Sequence, residues 1–398
     1  MKHTRINAAT MGQMNRNMIF KLIQKTPSIT RREISKLTGL DPSTVTRITT
    51  KLMDEGFVKE EGEKVTNQPG RKGISLFPIK DAAVSIVIKI GIENTIFGLG
   101  YLDKTLEIIE EIPTIRQSDM FLTVCVEKLN DILNKYSKDK NIIGISFSIP
   151  GIVEPNEGKI ITAPHLNWND VKLKSTIEEN IERKDLFIIM TNEARLSLLS
   201  EIFFNRLVKN LQSIVYIFIS QGVGGALYLN GKIYEGATNS SGEIGHMTIS
   251  ETGALCHCGN RGCWETFVSI DSVVTSYELS NNSLSGSNYK EKYANLLKRT
   301  EQNDINAKKI LNIMVHNLAI GISNVVNIIN PHAIVIGGIG EKIPENYIDQ
   351  LQVEVQHSSL AFAGKQIKIM KAKIDIDRAC LYGCTITAME KFTDIVTI

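Results

Sequence analysis

The run Gly242-Glu243-Ile244-Gly245-His246-Met247 is followed, after eight residues, by Cys256-His257-Cys258-Gly259-Asn260-Arg261-Gly262-Cys263-Trp264-Glu265-Thr266. His246, Cys256, Cys258 and Cys263 offer one nitrogen and three sulfur donors, a set suited to tetrahedral zinc. The Cys-x-Cys-x4-Cys spacing behind a histidine is specific, and Gly259 and Gly262 permit the tight turns of a metal knuckle. Four protein ligands leave no open position for a catalytic water. The expectation is therefore one structural zinc per chain, bracing a loop. His257 is a competing ligand, and a set of free buried thiols is the plain alternative. The other cysteines, Cys125, Cys380 and Cys384, are scattered. Residues 1–10 are polar, with no apolar signal region, so the cluster reads as metal ligands before disulfides, and the cytoplasm is the expected location.

Outward from this stretch, the chain of 398 residues is long enough for two or three domains. With 42% hydrophobic and 22% charged residues it is an ordinary globular composition, which excludes a largely disordered chain. No unbroken apolar run reaches the ~20 residues of a membrane span, so no membrane partner is expected. The net charge of +2 conceals a division. Residues 1–80 hold 15 Lys/Arg and 7 Asp/Glu, a net of +8, and the remainder holds 30 and 36, a net of −6. A basic head on an acidic body points to a polyanionic partner for the head.

The first eighty residues read as helices and a wing. Met18, Ile19, Leu22 and Ile23 have helical spacing within residues 15–25. Thr30 with Glu33 forms a capping-box pattern for a helix to about Thr38, with Ile34 and Leu37 inward. Gly39-Leu40-Asp41 makes a turn; Asp41 caps, and Pro42 begins, a third helix over residues 42–55. Short strands at 57–58 and 74–77 flank the basic tip Gln68-Pro69-Gly70-Arg71-Lys72-Gly73. Helix, short turn, helix and wing form a winged helix-turn-helix, which predicts double-stranded DNA as partner. With Val45, Ile48 and Leu52 inward, Ser43, Thr44, Thr46 and Arg47 present hydroxyls and a guanidinium to base edges. Arg31, Arg32, Lys36 and Lys51 are placed for phosphates, and Arg71 and Lys72 for a minor groove.

From about residue 80 strands alternate with helices. Strands are expected at 84–90, 95–102, 107–113, 142–149, 186–190, 213–219 and 333–336, with a hairpin over 227–234 on Asn230-Gly231. Residues 120–136 read as an amphipathic helix and 304–330 as a long, largely buried one. The pattern is α/β.

The glycine, histidine and cysteine run at 242–265 resembles the signature of the ROK family of repressors and sugar kinases. Ser148-Ile149-Pro150-Gly151, Thr162-Ala163-Pro164-His165-Leu166-Asn167-Trp168, Asn192-Glu193-Ala194 and Ile334-Val335-Ile336-Gly337-Gly338 resemble further family segments. The resemblance covers nearly the whole chain, and the head resembles that of the repressor branch. It implies an N-terminal winged helix-turn-helix (1–80) joined to a two-lobed actin-like, ribonuclease H-like body (81–398). The small lobe would span about 81–190 plus the C-terminal helix, and the large lobe about 191–375. It implies sugar contacts from Asn167, Asn192, Glu193, Glu243, His246 and Glu265, groups able to hold paired hydroxyls. His246 could ligate zinc by one ring nitrogen and face sugar with the other.

A kinase of this family needs an Asp-Gly-Thr-type phosphate loop and a catalytic Asp. Here Lys89 and Glu93 take the Asp and Thr positions, Ser220 and Gln221 replace the leading Gly-Thr of the second loop, and Glu193 takes the catalytic position. Lysine cannot hold Mg²⁺, and a carboxylate facing phosphates is repulsive. The expected function is a sugar-responsive transcriptional repressor that is not an enzyme. An active sugar kinase carrying a DNA-binding head is the alternative. Paired half-sites predict a homodimer, and the family resemblance implies a homotetramer as the other assembly. Asn192-Glu193-Ala194 looks more like the xylose-repressor branch than the glucose branch, although Arg195 follows where a small polar residue is more usual.

Overall fold

The computed structural model describes residues 8–63, 73–280 and 282–397. The head contains helices Ala8–Lys25, Arg31–Thr38 and Pro42–Asp54. Thr30 and Glu33 complete the capping box, Glu33 accepting from the Thr30 N–H at 2.9 Å, and Gly39 ends that helix with φ 71°. Such a cap contributes about 1 kcal/mol. Asp41 caps the third helix by accepting from the Ser43 N–H at 2.8 Å. Val45, Ile48 and Leu52 are buried as expected. Leu37 is not: it is 67% exposed, because the eight-residue helix stops at Gly39 after presenting only Ile34 to the core. Met18 is likewise partly exposed, whereas Phe20 is fully buried. Strands Val58–Glu63 and Ile74–Pro78 form the wing, and Ile29–Thr30 adds a third strand beside Ile74–Pro78. Arg71 and Lys72 lie outside the described residues.

The head does not close its own core. Ile19, Phe20, Ile23 and Val45 share a cluster with Leu102, Met389 and Phe392 of the body. Phe57 lies between Phe20 and Phe392, with ring centroids 5.7 and 5.5 Å away. A buried hydrogen bond runs from Gln24 Nε2 to Thr393 Oγ1 at 2.8 Å. The C-terminal helix Ile376–Val396 is thus the seat of the head.

The body contains two five-stranded sheets of the same topology. In the first, Val84–Ile90, Asn94–Tyr101 and Leu106–Pro113 run antiparallel, and Ile142–Ile149 and Phe187–Asn192 add parallel to the opposite edge. In the second, Ser213–Ile219, Val223–Leu229 and Lys232–Tyr234 form the antiparallel part, and Ala333–Gly338 and Lys368–Lys371 the parallel part. The Asn230-Gly231 turn has both residues at positive φ, as its hairpin requires. The central strands Val84–Ile90, Ile142–Ile149, Ser213–Ile219 and Ala333–Gly338 are buried on both faces, which explains their Val/Ile-rich runs. The C-terminal helix packs on the first sheet and against helix Glu193–Phe204. A Cβ on Gly383 would lie 2.3 Å from the Leu196 carbonyl, so only glycine allows that crossing.

Helix Ile305–Ile329 is long and apolar enough to cross a membrane by length and composition alone. Here Leu311, Met314, Leu318, Ile322 and Val326 are fully buried in the core beside the second sheet. Helices Leu173–Asn180, Ile270–Glu278, Tyr289–Glu301 and Glu345–Ser358 complete the body where the sequence reading assigned none.

Candidate functional site

On the head, Ser43, Thr46 and Arg47 are exposed on the third helix and Thr44 is half-buried. Thr46 Oγ1 donates to the Pro42 carbonyl at 2.8 Å. Arg32, Lys36 and Lys51 are exposed around this helix. Arg31 differs: its Nε donates to Thr49 Oγ1 at 2.8 Å and its Nη1 pairs with Glu60 of the wing. The structure therefore gives Arg31 a bracing role between recognition helix and wing.

In the body, the short turn Ile244–His246 faces the loop that carries the cysteines. The donor atoms of His246, Cys256, Cys258 and Cys263 all lie within 4.8 Å of one another. Cys258 Sγ and Cys263 Sγ are 3.6 Å apart, as are Cys256 Sγ and His246 Nδ1. The edge of a tetrahedron of zinc-bound sulfurs is about 3.8 Å, so this grouping could hold such an ion. Burial and the Glu265 carboxylate push the Cys256 thiol up, whereas the Asn260 backbone N–H pulls Cys258 down. His246, His257 and Glu265 form a second, overlapping donor group, with His257 Nδ1 3.2 Å from Glu265 Oε1.

Beside the thiols, between the two sheets, is a cleft of about 560 Å³. All six expected sugar residues line it: Asn167, Asn192, Glu193, Glu243, His246 and Glu265. Asn167 follows the turn Pro164–Leu166 in a left-handed conformation, φ 59°. Asn192 is already engaged, donating to the Gly151 carbonyl at 3.0 Å and capping the helix through the Ala194 N–H at 2.9 Å. It fixes the floor as much as it offers a contact. Glu265 is nearly buried and accepts from the Val223 N–H. Burial raises Glu243, and burial lifts Glu193 to about 7. His246 turns Nδ1 to the thiols and Nε2 toward Glu243, 4.0 Å away.

Two further imidazoles complete this wall. His165 and His246 each stand 5.4 Å, ring to ring, from His257, and His165 also lines the cleft. Burial and the neighbouring His257 lower His165. A Cβ on Gly222 would lie 2.7 Å from His165 Nε2 and 3.1 Å from Glu265 Oε2, so that glycine makes room for both side chains. His165 sits inside the quoted 162–168 segment, but nothing in its spacing distinguishes it from an exposed histidine.

The opposite end of the cleft is a constricted space of about 120 Å³ lined by Lys89, Glu93, Glu193, Ser220, Gln221, Lys290 and Asp377. Lys89 is buried and paired with Asp377, the second residue of the C-terminal helix. Asp377 also lies 3.7 Å from Lys290. Close by, burial and Glu93 raise Asp271 to about 7, and its Oδ1 has no partner among the described residues.

The chain matches the ROK family over residues 85–391 and a winged helix-turn-helix DNA-binding family over residues 15–59. It is 28% identical to a xylose repressor from Bacillus subtilis (strain 168) over 390 residues, 97% of each chain. It is 30% identical to a putative xylose repressor from Caldicellulosiruptor sp. (strain Rt8B.4) over 414 residues, 98% of this chain and 100% of that one. Its fold matches a crystal structure of a ROK family transcriptional regulator, a homolog of the E. coli MLC protein, with TM-score 0.76 and 22% identity. That match covers 96% of this chain and 99% of the other. With the head, the two matched sheets and the thiol loop in one polypeptide, the chain belongs to the ROK family and has the architecture of its transcriptional regulators.

Proposed function

We propose that this protein is a repressor that releases its operator when a sugar enters the cleft between the two sheets. One observation supports the reading: one end of the cleft is lined by Asn167, Asn192, Glu243, His246 and Glu265, while at the other Lys89 is paired with Asp377 and only about 120 Å³ stays open. A DNA-binding head on a sugar site without a phosphoryl-transfer site is a sensor. The chain would divide into a head (1–80), a small lobe (about 81–190 with the C-terminal helix) and a large lobe (about 191–375); that each lobe then holds one five-stranded sheet supports this division. The loss of an Asp at Lys89 and a Thr at Glu93 leaves no metal–nucleotide cradle, so no kinase activity is expected.

The head would read bases with Ser43, Thr44, Thr46 and Arg47 and hold phosphates with Arg32, Lys36 and Lys51. His246, Cys256, Cys258 and Cys263 would hold one zinc, which when bound would fix the loop carrying Glu265. His246 Nε2, Glu243 and Glu265 would then meet sugar hydroxyls, with His165 and His257 closing the wall. Xylose is the first effector to test, since two relatives are named for it. The effector's pull equals its preference for one state over the other; a hundredfold preference supplies about 2.7 kcal/mol. The repressor would work as a homodimer, or a tetramer of such pairs, on paired half-sites in the cytoplasm.

The test is an electrophoretic mobility shift on the upstream region of adjoining sugar-utilisation genes, with and without a sugar panel. A shift abolished by one sugar is expected, and no shift at any salt concentration overturns the reading. Arg47→Ala should weaken specific binding by about 1–3 kcal/mol. Arg31→Ala should act mainly on stability, through its lost Thr49 and Glu60 contacts.

A further inference from the structure

A second cleft, also about 560 Å³, opens where the head, the C-terminal helix and the second sheet's hairpin meet. Lys21 and Lys25 come from the first head helix, Glu390 from the C-terminal helix, Arg195 from helix Glu193–Phe204, and Lys232 from the hairpin. Lys104, in the turn after Asn94–Tyr101, completes the lining.

Lys104 is the unusual group. It is 3% exposed, and its Nζ has no hydrogen-bond acceptor among the described residues. The ammonium stands over the Phe203 ring, its centroid 6.0 Å away. Its backbone is left-handed, φ 67°, a conformation L side chains rarely adopt. Burial pulls the ammonium down to about 7; Glu390 and Asp103 oppose that and Lys21 adds to it. A buried, unpartnered ammonium is costly unless something anionic completes it.

Glu235 and Glu390 also line the cleft, but neither forms an ion pair with Lys104 among the described residues. Arg195 spends Nη2 on the carbonyls of Asn239 at 2.6 Å, Glu235 at 3.3 Å and Ser241 at 3.4 Å. Its Nε and Nη1 have no acceptor, and it has no ion pair, among the described residues. Lys25 and Lys232 are exposed and likewise without an ion pair there. Only Lys21 is paired, with Asp394 at 2.7 Å.

We propose that this cleft binds a small phosphomonoester, as a second effector separate from the sugar site. Such a group carries nearly two negative charges and three strong acceptor oxygens, enough to meet cations on three walls at once. Lys104 and Arg195 hold it from the body, and Lys25 holds it from the head. Occupancy therefore ties the head to the body and alters the angle at which the head is presented. The binding stands independently of the sugar reading; its effect on operator affinity rests on the DNA-binding reading.

The test is calorimetry on the full chain with inorganic phosphate, a hexose 6-phosphate and the same hexose unphosphorylated. Saturable binding of the ester is expected, with inorganic phosphate about tenfold weaker. Lys104→Met should weaken the ester about 30-fold, and the exposed double change Lys25→Glu, Lys232→Glu about tenfold. Neither should shift binding of the free hexose more than about twofold. The double variant keeps the test valid if Lys104→Met fails to fold. Any of four results overturns the proposal: neither phosphate probe binds, both variants bind the ester normally, free hexose displaces the ester, or the double variant weakens operator binding equally without it. The last outcome would make these lysines DNA contacts.

Discussion

The two ends of the cleft between the sheets are both lined by charged or titratable groups and differ in the space those groups leave. At one end Glu243, Glu265, His165, His246 and His257 surround about 560 Å³ of open space. At the other, Lys89, Asp377 and Lys290 satisfy one another and leave about 120 Å³. At the narrow end the pairing is between opposite full charges, whereas at the wide end carboxylates and imidazoles keep lone pairs and N–H groups for a ligand that brings hydrogen bonds.

The strongest way to break this contrast is to remove the loop that shapes the open end. Cys263→Ser should abolish stoichiometric metal content, measured by elemental analysis, and with it the sugar response in the mobility shift. Glu265→Ala should weaken sugar binding about a hundredfold by calorimetry, because two hydrogen bonds to a buried carboxylate are lost. Glu243→Gln keeps the shape and should cost about tenfold. A sugar affinity unchanged by either would place the sugar elsewhere.

At the closed end the effect should fall on stability alone. Asp377→Ala leaves Lys89 buried without its carboxylate and should destabilise by roughly 2–3 kcal/mol, toward the low side because Asp377 is a third exposed. Denaturant unfolding checks this, and sugar affinity should stay within about twofold. The smallest effect is in pH dependence. Glu193 stands at about 7 in the fold against an ordinary 4.5. Between those values the unfolded chain has released a proton that the folded chain keeps. This group therefore makes stability fall as pH rises through that window. Glu193→Gln should flatten that slope in melting curves from about pH 4.5 to 7.

Much of this was legible in the residues themselves. The capping box at Thr30 and Glu33, the Asp41-Pro42 start and the Asn230-Gly231 turn are local signals, and each produced its element. The thiol grouping was legible because spacing alone brings Cys256, Cys258 and Cys263 together. Leu37 misled because periodicity says which residues share a face, not where a short helix stops touching its core. The Lys89–Asp377 pair joins residues 288 positions apart, and no local pattern announces it. The same holds for Lys104, an ordinary lysine in a turn until the head and helix Glu193–Phe204 cover it, and for the docking of Phe20 through Phe57 onto Phe392. Contacts made by the assembled fold are what a linear reading misses.

The most direct measurement is calorimetry of one preparation with the sugar panel and, separately, with Mg²⁺–ATP, followed by an assay for ADP release. One sugar should bind saturably while nucleotide gives no heat and no ADP appears. Nucleotide binding with sugar-dependent ADP release would show that the end closed by Lys89 and Asp377 opens to phosphates, and would contradict the account.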